Sequence, residues 1–165
     1  TIFAPQHFLS ISCSMPLEGC CTPLQQAIYE CDGAKVCSLL VEGHSVNGFN
    51  TGTRSESCYG PPLFVACSYF PDVIQSLIGA RADLDGTYMG EHSTALHKCA
   101  HAGNEEAARI IMQQRPGQLC RVDRHSRTPA QVADFYSHPA LARLLELETR
   151  KQEEAEQLRT IEALN

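Results

Sequence analysis

His97 and His101 stand four residues apart, a spacing that sets two imidazoles on one face of a helix and would suit a pair of metal ligands. The glutamate that must follow the first histidine in a zinc-protease helix is absent, and Lys98 occupies that position. Cys20, Cys21, Cys31 and Cys37 supply further thiols, yet no two cysteines in the chain are separated by two residues. Zinc would need ligands converging from separate segments, so a zinc-stabilised module is only a lesser alternative. Serine, histidine and aspartate are plentiful, but no nucleophile elbow or pair of carboxylates stands at a useful spacing. Gly52 and Gly60 are not followed by the Lys-Ser/Thr of a phosphate loop. No catalytic residue, cofactor-binding residue or metal ligand is therefore assigned, no cofactor is expected, and the chain is not expected to be an enzyme.

Composition narrows the partners. The chain carries a net charge of −6 without a clustered basic face, so nucleic acid is not an expected partner. No run approaches the roughly 18 apolar residues of a membrane span. The first residues lack a basic stretch ahead of an apolar one, so no secretory signal is expected. Nine cysteines are many for 165 residues, but Cys67 and Cys99 fall inside helical phrases where a small side chain must pack. Cysteine there acts as a small buried hydrophobe, which points to a reducing cytoplasmic or nuclear compartment.

The elements that carry these residues repeat. The phrase Thr94–Gly103 (TALHKCAHAG) has counterparts at Thr22 (TPLQQA), Pro61 (PPLFVA) and Thr128 (TPAQVA), at start-to-start intervals of 39, 33 and 34 residues. Apolar pairs follow about a dozen residues later at Leu39-Leu40, Leu77-Ile78, Ile110-Ile111 and Leu144-Leu145. Thr22, Thr94 and Thr128 can cap first helices, with Pro23 and Pro129 at the first helical position; Pro61-Pro62 lacks the hydroxyl and should start its helix less securely. Within each first helix a large-then-small pair shares one face, as Leu24/Ala27, Leu63/Ala66 and Leu96/Cys99, with Ala130/Ala133 in the last. The second helices place apolar residues at i, i+3, i+4 spacing.

A T-P-L-H-x-A opening on a period near 33 residues resembles the ankyrin repeat. The resemblance covers roughly Thr22 to Glu146 and is most specific in the third unit. It implies an all-α solenoid of helix-turn-helix units with finger loops, and the strong helix formers of Glu146–Asn165, uninterrupted by Gly or Pro, add an extended C-terminal helix. Repeats are expected near 22–60, 61–93, 94–127 and 128–146, between an N-terminal extension or cap (1–21) and a charged helical extension or linker (147–165). Gly43–Asn47 and Arg81–Asp85 resemble the family's closing phrase, but Arg81 stands where a helix end favours glycine, so that end is expected to be strained or differently shaped. Asp123–Pro129 resembles the family's finger, with Ser126 in place of glycine. The segment Gly48–Gly60 is a loop longer than the period requires. Leu144, Leu147, Leu158, Ile161 and Leu164 do not sustain a heptad across Arg150–Glu156, so a coiled coil is open only toward the end or beyond it, and the tail reads as a solvated helical linker.

The resemblance also implies where a partner would sit: a concave groove lined by the exposed side of the first helices and by the fingers. Carried over by phrase position, the groove residues are Gln26, Tyr29, Val65, Tyr69, Lys98, His101, Phe135 and Tyr136, with Val132 at the last fifth position. The fingers contribute Tyr88, His92, Arg124 and Arg127. The expected function is noncovalent binding of a protein or peptide, as an adaptor or scaffold; the alternative is a regulatory or substrate-recruiting segment of a larger enzyme such as a ligase or kinase. No small-molecule substrate is expected.

Overall fold

Hydroxyl, amide and carboxylate side chains and a set of prolines decide where the helices begin. A computed structural model describes residues 21–48, 60–87 and 92–164. Thr22 opens α1 (Pro23–Tyr29), its hydroxyl accepting the Gln25 N–H at 3.2 Å while Gln25 Oε1 accepts the Thr22 N–H at 2.8 Å. Thr128 and Gln131 repeat this reciprocal cap at α7 (Pro129–Phe135). Asp32 caps α2 (Gly33–Val41), and Asn104 caps α6 (Glu105–Gln114). α3 (Pro62–Tyr69) starts behind Pro61 with no side-chain cap, as its missing hydroxyl predicts. A single 3-10 turn at Pro71–Val73 leads into α4 (Ile74–Gly79). α5 (Ala95–Ala102) follows Thr94, and α8 (Pro139–Ala163) runs 25 residues without a break. Among the described residues there is no β-strand; the fold is all-α.

The helices pair antiparallel as α1/α2, α3/α4, α5/α6 and α7/α8, and the first helices stack in order, α3 between α1 and α5 and α7 beyond α5. Every large-then-small pair expected on the first helices is buried, from Leu24/Ala27 through Ala130/Ala133. The small member lets neighbouring helix backbones approach while leucine fills the layer between them. Val36, Leu77, Ile111 and Leu145 close the core from the second helices. Cys67 and Cys99 are fully buried on adjacent helices, and burial pushes the Cys99 thiol well up, with Cys67 beside it adding to the effect. Such a thiol stays protonated and packs as a hydrophobe.

The end of the stack is written into the seventh phrase position. Ile28, Cys67 and Ala100 are buried there because a following repeat covers them, whereas Asp134 is exposed because none follows α7 in the stack. A carboxylate at a position that is otherwise apolar keeps the terminal face wet, as solenoid ends require.

Five helix ends share one geometry, while α3 and α6 end in extended backbone at Phe70 (φ −145°) and Arg115 (φ −142°) and pass into 3-10 turns. At Cys31, Gly43, Arg81, Gly103 and Ser137 the backbone turns left-handed, with φ of 54°, 86°, 65°, 68° and 63°. The next N–H reaches back across each turn: Asp32 to Ala27, His44 to Leu39, Ala82 to Leu77, Asn104 to Cys99 and His138 to Ala133, at 2.8–3.0 Å. This six-to-one bond is the Schellman closure, which favours glycine. Only Gly43 and Gly103 provide it. The strain expected at Arg81 is present, and Cys31 and Ser137 carry the same strain without any glycine pattern to announce it.

Candidate functional site

In two of the first helices the fourth phrase position, His97 in α5 and Gln25 in α1, ties the helix start to the chain that leads into the next repeat. His97 is buried; its Nδ1 accepts the Thr94 N–H at 3.2 Å and its Nε2 donates to the Arg127 carbonyl, 30 residues on, at 3.0 Å. That arrangement requires the neutral imidazole with its proton on Nε2, and burial holds the pKa below the ordinary value. Gln25 makes the same two bonds with an amide, accepting from Thr22 N and donating to the Gly60 carbonyl at 2.6 Å. The histidine that begins the metal-spaced pair is thus a structural bridge. His101, its neighbour one turn on, is exposed and faces Tyr136 instead. Among the described residues no three His, Cys, Asp or Glu side chains gather as a metal site would require.

His97 fixes one side of the finger and Asp123 the other. Asp123 Oδ1 accepts the N–H groups of His125 at 2.8 Å and Arg127 at 2.9 Å, and Oδ2 receives the Arg127 guanidinium at 3.0 and 2.8 Å. Burial pushes this carboxyl up, but the Arg127 backbone and guanidinium together hold it below its usual value. Ser126 takes the turn at φ 58°, where the family pattern has glycine.

The finger delivers Arg127 to an aromatic ridge. Its guanidinium lies 5.0 Å from the centre of the Phe135 ring. Phe135 meets Tyr136 edge-on at 5.1 Å, and Tyr136 meets His101 at 4.2 Å. Phe135 is 66% exposed and Tyr136 41%, although both rings are held by their neighbours. His101, Phe135 and Tyr136, expected on the groove from their phrase positions, and Arg127, expected on the finger, therefore form one continuous chain of contacts. Farther along the stack Tyr29 and Tyr69 pair at 5.4 Å, but both are half-buried against the core.

The remaining expected residues divide. Gln26 is half-buried and donates to Glu30 at 2.8 Å, which in turn holds Lys35 at 3.0 Å. Lys98 is half-buried on α5. Arg124 is exposed at the finger tip with its Nε 2.9 Å from His125 Nε2, and His92 is exposed on the preceding finger. Tyr88 lies outside the described residues, as do residues 1–20 and 49–59. Val65 needs correction: it is fully buried, and so is Val132 at the same phrase position. Both pack inward in the stack and cannot meet a partner without unfolding it.

Sequence reasoning missed several bridges that hold the fingers and turns in place. Asn47 accepts the Asp83 N–H at 2.8 Å and donates to the Arg81 carbonyl at 3.3 Å, tying one finger to the next. Gln118 accepts the Leu96 N–H at 3.1 Å and donates to the Leu84 carbonyl. Asn104 and His138 each reach back one repeat, to the carbonyls of Cys67 and His101. The only signal was position: a polar side chain at the same offset in successive units.

Residues 63–154 match the family model of ankyrin repeats, in three copies. The match leaves α1 and α2 outside it, though α1 packs on α3 as α3 packs on α5. No curated protein matches the chain.

Proposed function

Since the chain belongs to the ankyrin-repeat family, whose members serve in general as noncatalytic protein-interaction modules, we propose that it binds a protein or peptide partner on the ridge built from α5, α7 and the finger before α7. Phe135 and Tyr136 act as anchors, with His101 and Arg127 holding their pose. Lys98, His92 and Arg124 stand around the anchors as a polar rim, and Tyr29 and Tyr69 extend the surface toward the first repeat. The supporting observation is that large aromatic rings stand open to water yet are fixed by stacking and by a cation over one face. Rings already ordered lose little conformational freedom when a partner covers them, and aromatic anchors dominate binding energy at interfaces. The work asked of the chain is shape-complementary docking, with no covalent step.

Among the described residues no helix is long and apolar enough to cross a membrane. Buried Cys67 and Cys99, together with exposed free thiols at Cys31, Cys37 and Cys120, support a reducing compartment.

Peptides selected from a random display library against the folded chain test this reading. Phe135→Ala/Tyr136→Ala should weaken a selected peptide by about 2 kcal/mol or more, roughly thirtyfold in Kd. The thermal midpoint should barely move, because the rings contribute little to the core. Selected peptides whose affinity the double variant leaves untouched would remove the ridge from the binding surface.

A further inference from the structure

The outer face of α8 is self-complementary. Leu144, Leu147, Lys151, Glu154, Leu158 and Ile161 follow one another at spacings of three and four residues, which is the seam of a coiled coil. Leucine and isoleucine hold four of the six places, and the two charges that interrupt the heptad stand together at its centre. The order is symmetric about the point between Gln152 and Glu153. Leu144 and Ile161, Leu147 and Leu158, Lys151 and Glu154 are equidistant from that point.

The face is open. Leu147, Leu158 and Ile161 are 52%, 61% and 57% exposed, Lys151 and Glu154 are exposed, and only Leu144 at the seam's end rests partly on the core. Leu145, on the other side of the helix, is fully buried against the repeats. The body of the molecule therefore lies behind the seam, with Lys151 at the seam's edge bordering a cleft shared with Arg109 and Gln113 of α6.

We infer that α8 pairs antiparallel with α8 of a second copy of this chain, about a two-fold axis at the centre of the seam. Each leucine or isoleucine then faces an apolar residue: Leu144 meets Ile161 of the other copy, and Leu147 meets Leu158. Lys151 meets Glu154, and symmetry makes the same ion pair twice. A parallel pair would instead set lysine against lysine and glutamate against glutamate. Charge complementarity selects both the second copy and its direction. Lys151 at present holds Glu148 at 2.7 Å on its own helix, an exposed pair that is worth little and easily exchanged. The seam spans about 25 Å of helix, so it is short and the association is weak and reversible.

Sedimentation velocity on the chain from low to high micromolar concentration tests this. The unchanged chain should show a concentration-dependent monomer–dimer equilibrium. Leu147→Glu/Leu158→Glu should be monomeric throughout. Lys151→Glu alone and Glu154→Lys alone should each weaken the dimer about tenfold or more, since each creates two like-charge pairs, and mixing the two variants should restore it. Glu154→Gln separates the directions: it removes an attraction in the antiparallel dimer and weakens it, but would relieve repulsion in a parallel one. Circular dichroism should give all variants the same thermal midpoint, because the changed side chains are solvated in the monomer. A chain that stays monomeric at the highest concentration, a dimer indifferent to Leu147→Glu/Leu158→Glu, or a Glu154→Gln dimer that tightens would each overturn the inference.

Discussion

Glutamine at position 97 should do most of what histidine does there, because Gln25 already makes the corresponding pair of bonds in the first repeat. What it would not do is titrate. An unfolded imidazole titrates near 6.5, and burial holds that of His97 lower in the fold. Between the two values the unfolded chain binds the extra proton, so stability is full above about 6.5 and is lost as pH falls below it. Urea unfolding measured from pH 7 to pH 5 should therefore show a decline that is shallower in His97→Gln. An equal slope in both would deny His97 that role. Gly103 makes a second prediction at this scale. Its φ is 68°, and a Cβ there would come within 2.5 Å of the His138 ring, whereas Gly43 at φ 86° has open space around it. Gly43→Ala should cost about 1 kcal/mol from backbone strain alone, and Gly103→Ala about 2–3 kcal/mol because His138 must also move. The sequence reveals His97 as a structural residue through its place in the phrase. The grip of His138 on Gly103 has no such signature, since it depends on how two successive repeats lie against each other.

Helix starts were more readable than helix ends. A hydroxyl or proline announces a start by its own chemistry, and Thr22, Thr128 and Pro61 behave as their side chains dictate. An end is set by where packing stops, and the residue at the turn must then accept a left-handed backbone whether or not it is glycine. Arg81 and Cys31 do so at a cost. Arg81→Gly should raise stability by about 0.5–1 kcal/mol in urea unfolding, the relief of strain being partly offset by the greater freedom of the unfolded chain. The burial of Val65 and Val132 was illegible for a related reason. Helical periodicity shows which residues share a face, but not which neighbouring helix will cover that face. α8 extends the same lesson. Its heptad looks broken when read along one strand of sequence, and the break becomes a matched ion pair only when two antiparallel helices are set side by side.

On the scale of the molecule, four helical pairs stack into a rod whose last repeat carries both the exposed ridge and the long helix. The repeated phrases gave the architecture; the ridge depends on three-dimensional neighbours, since Arg127 reaches Phe135 only because Asp123 and His97 fix the finger between them. Pairing through α8 would present two such ridges on one particle, and a partner with two copies of a target segment would then be held more tightly than either ridge holds one. The account rests on the ridge as the face that meets a partner. Amide hydrogen exchange of the chain with and without a bound display-selected peptide tests this most directly. Slowed exchange is predicted at the end of α5 around His101, across the finger 123–127 and at the end of α7 around Phe135 and Tyr136. Slowed exchange confined to the outer helices α2, α4 and α6, with that surface unchanged, would contradict it.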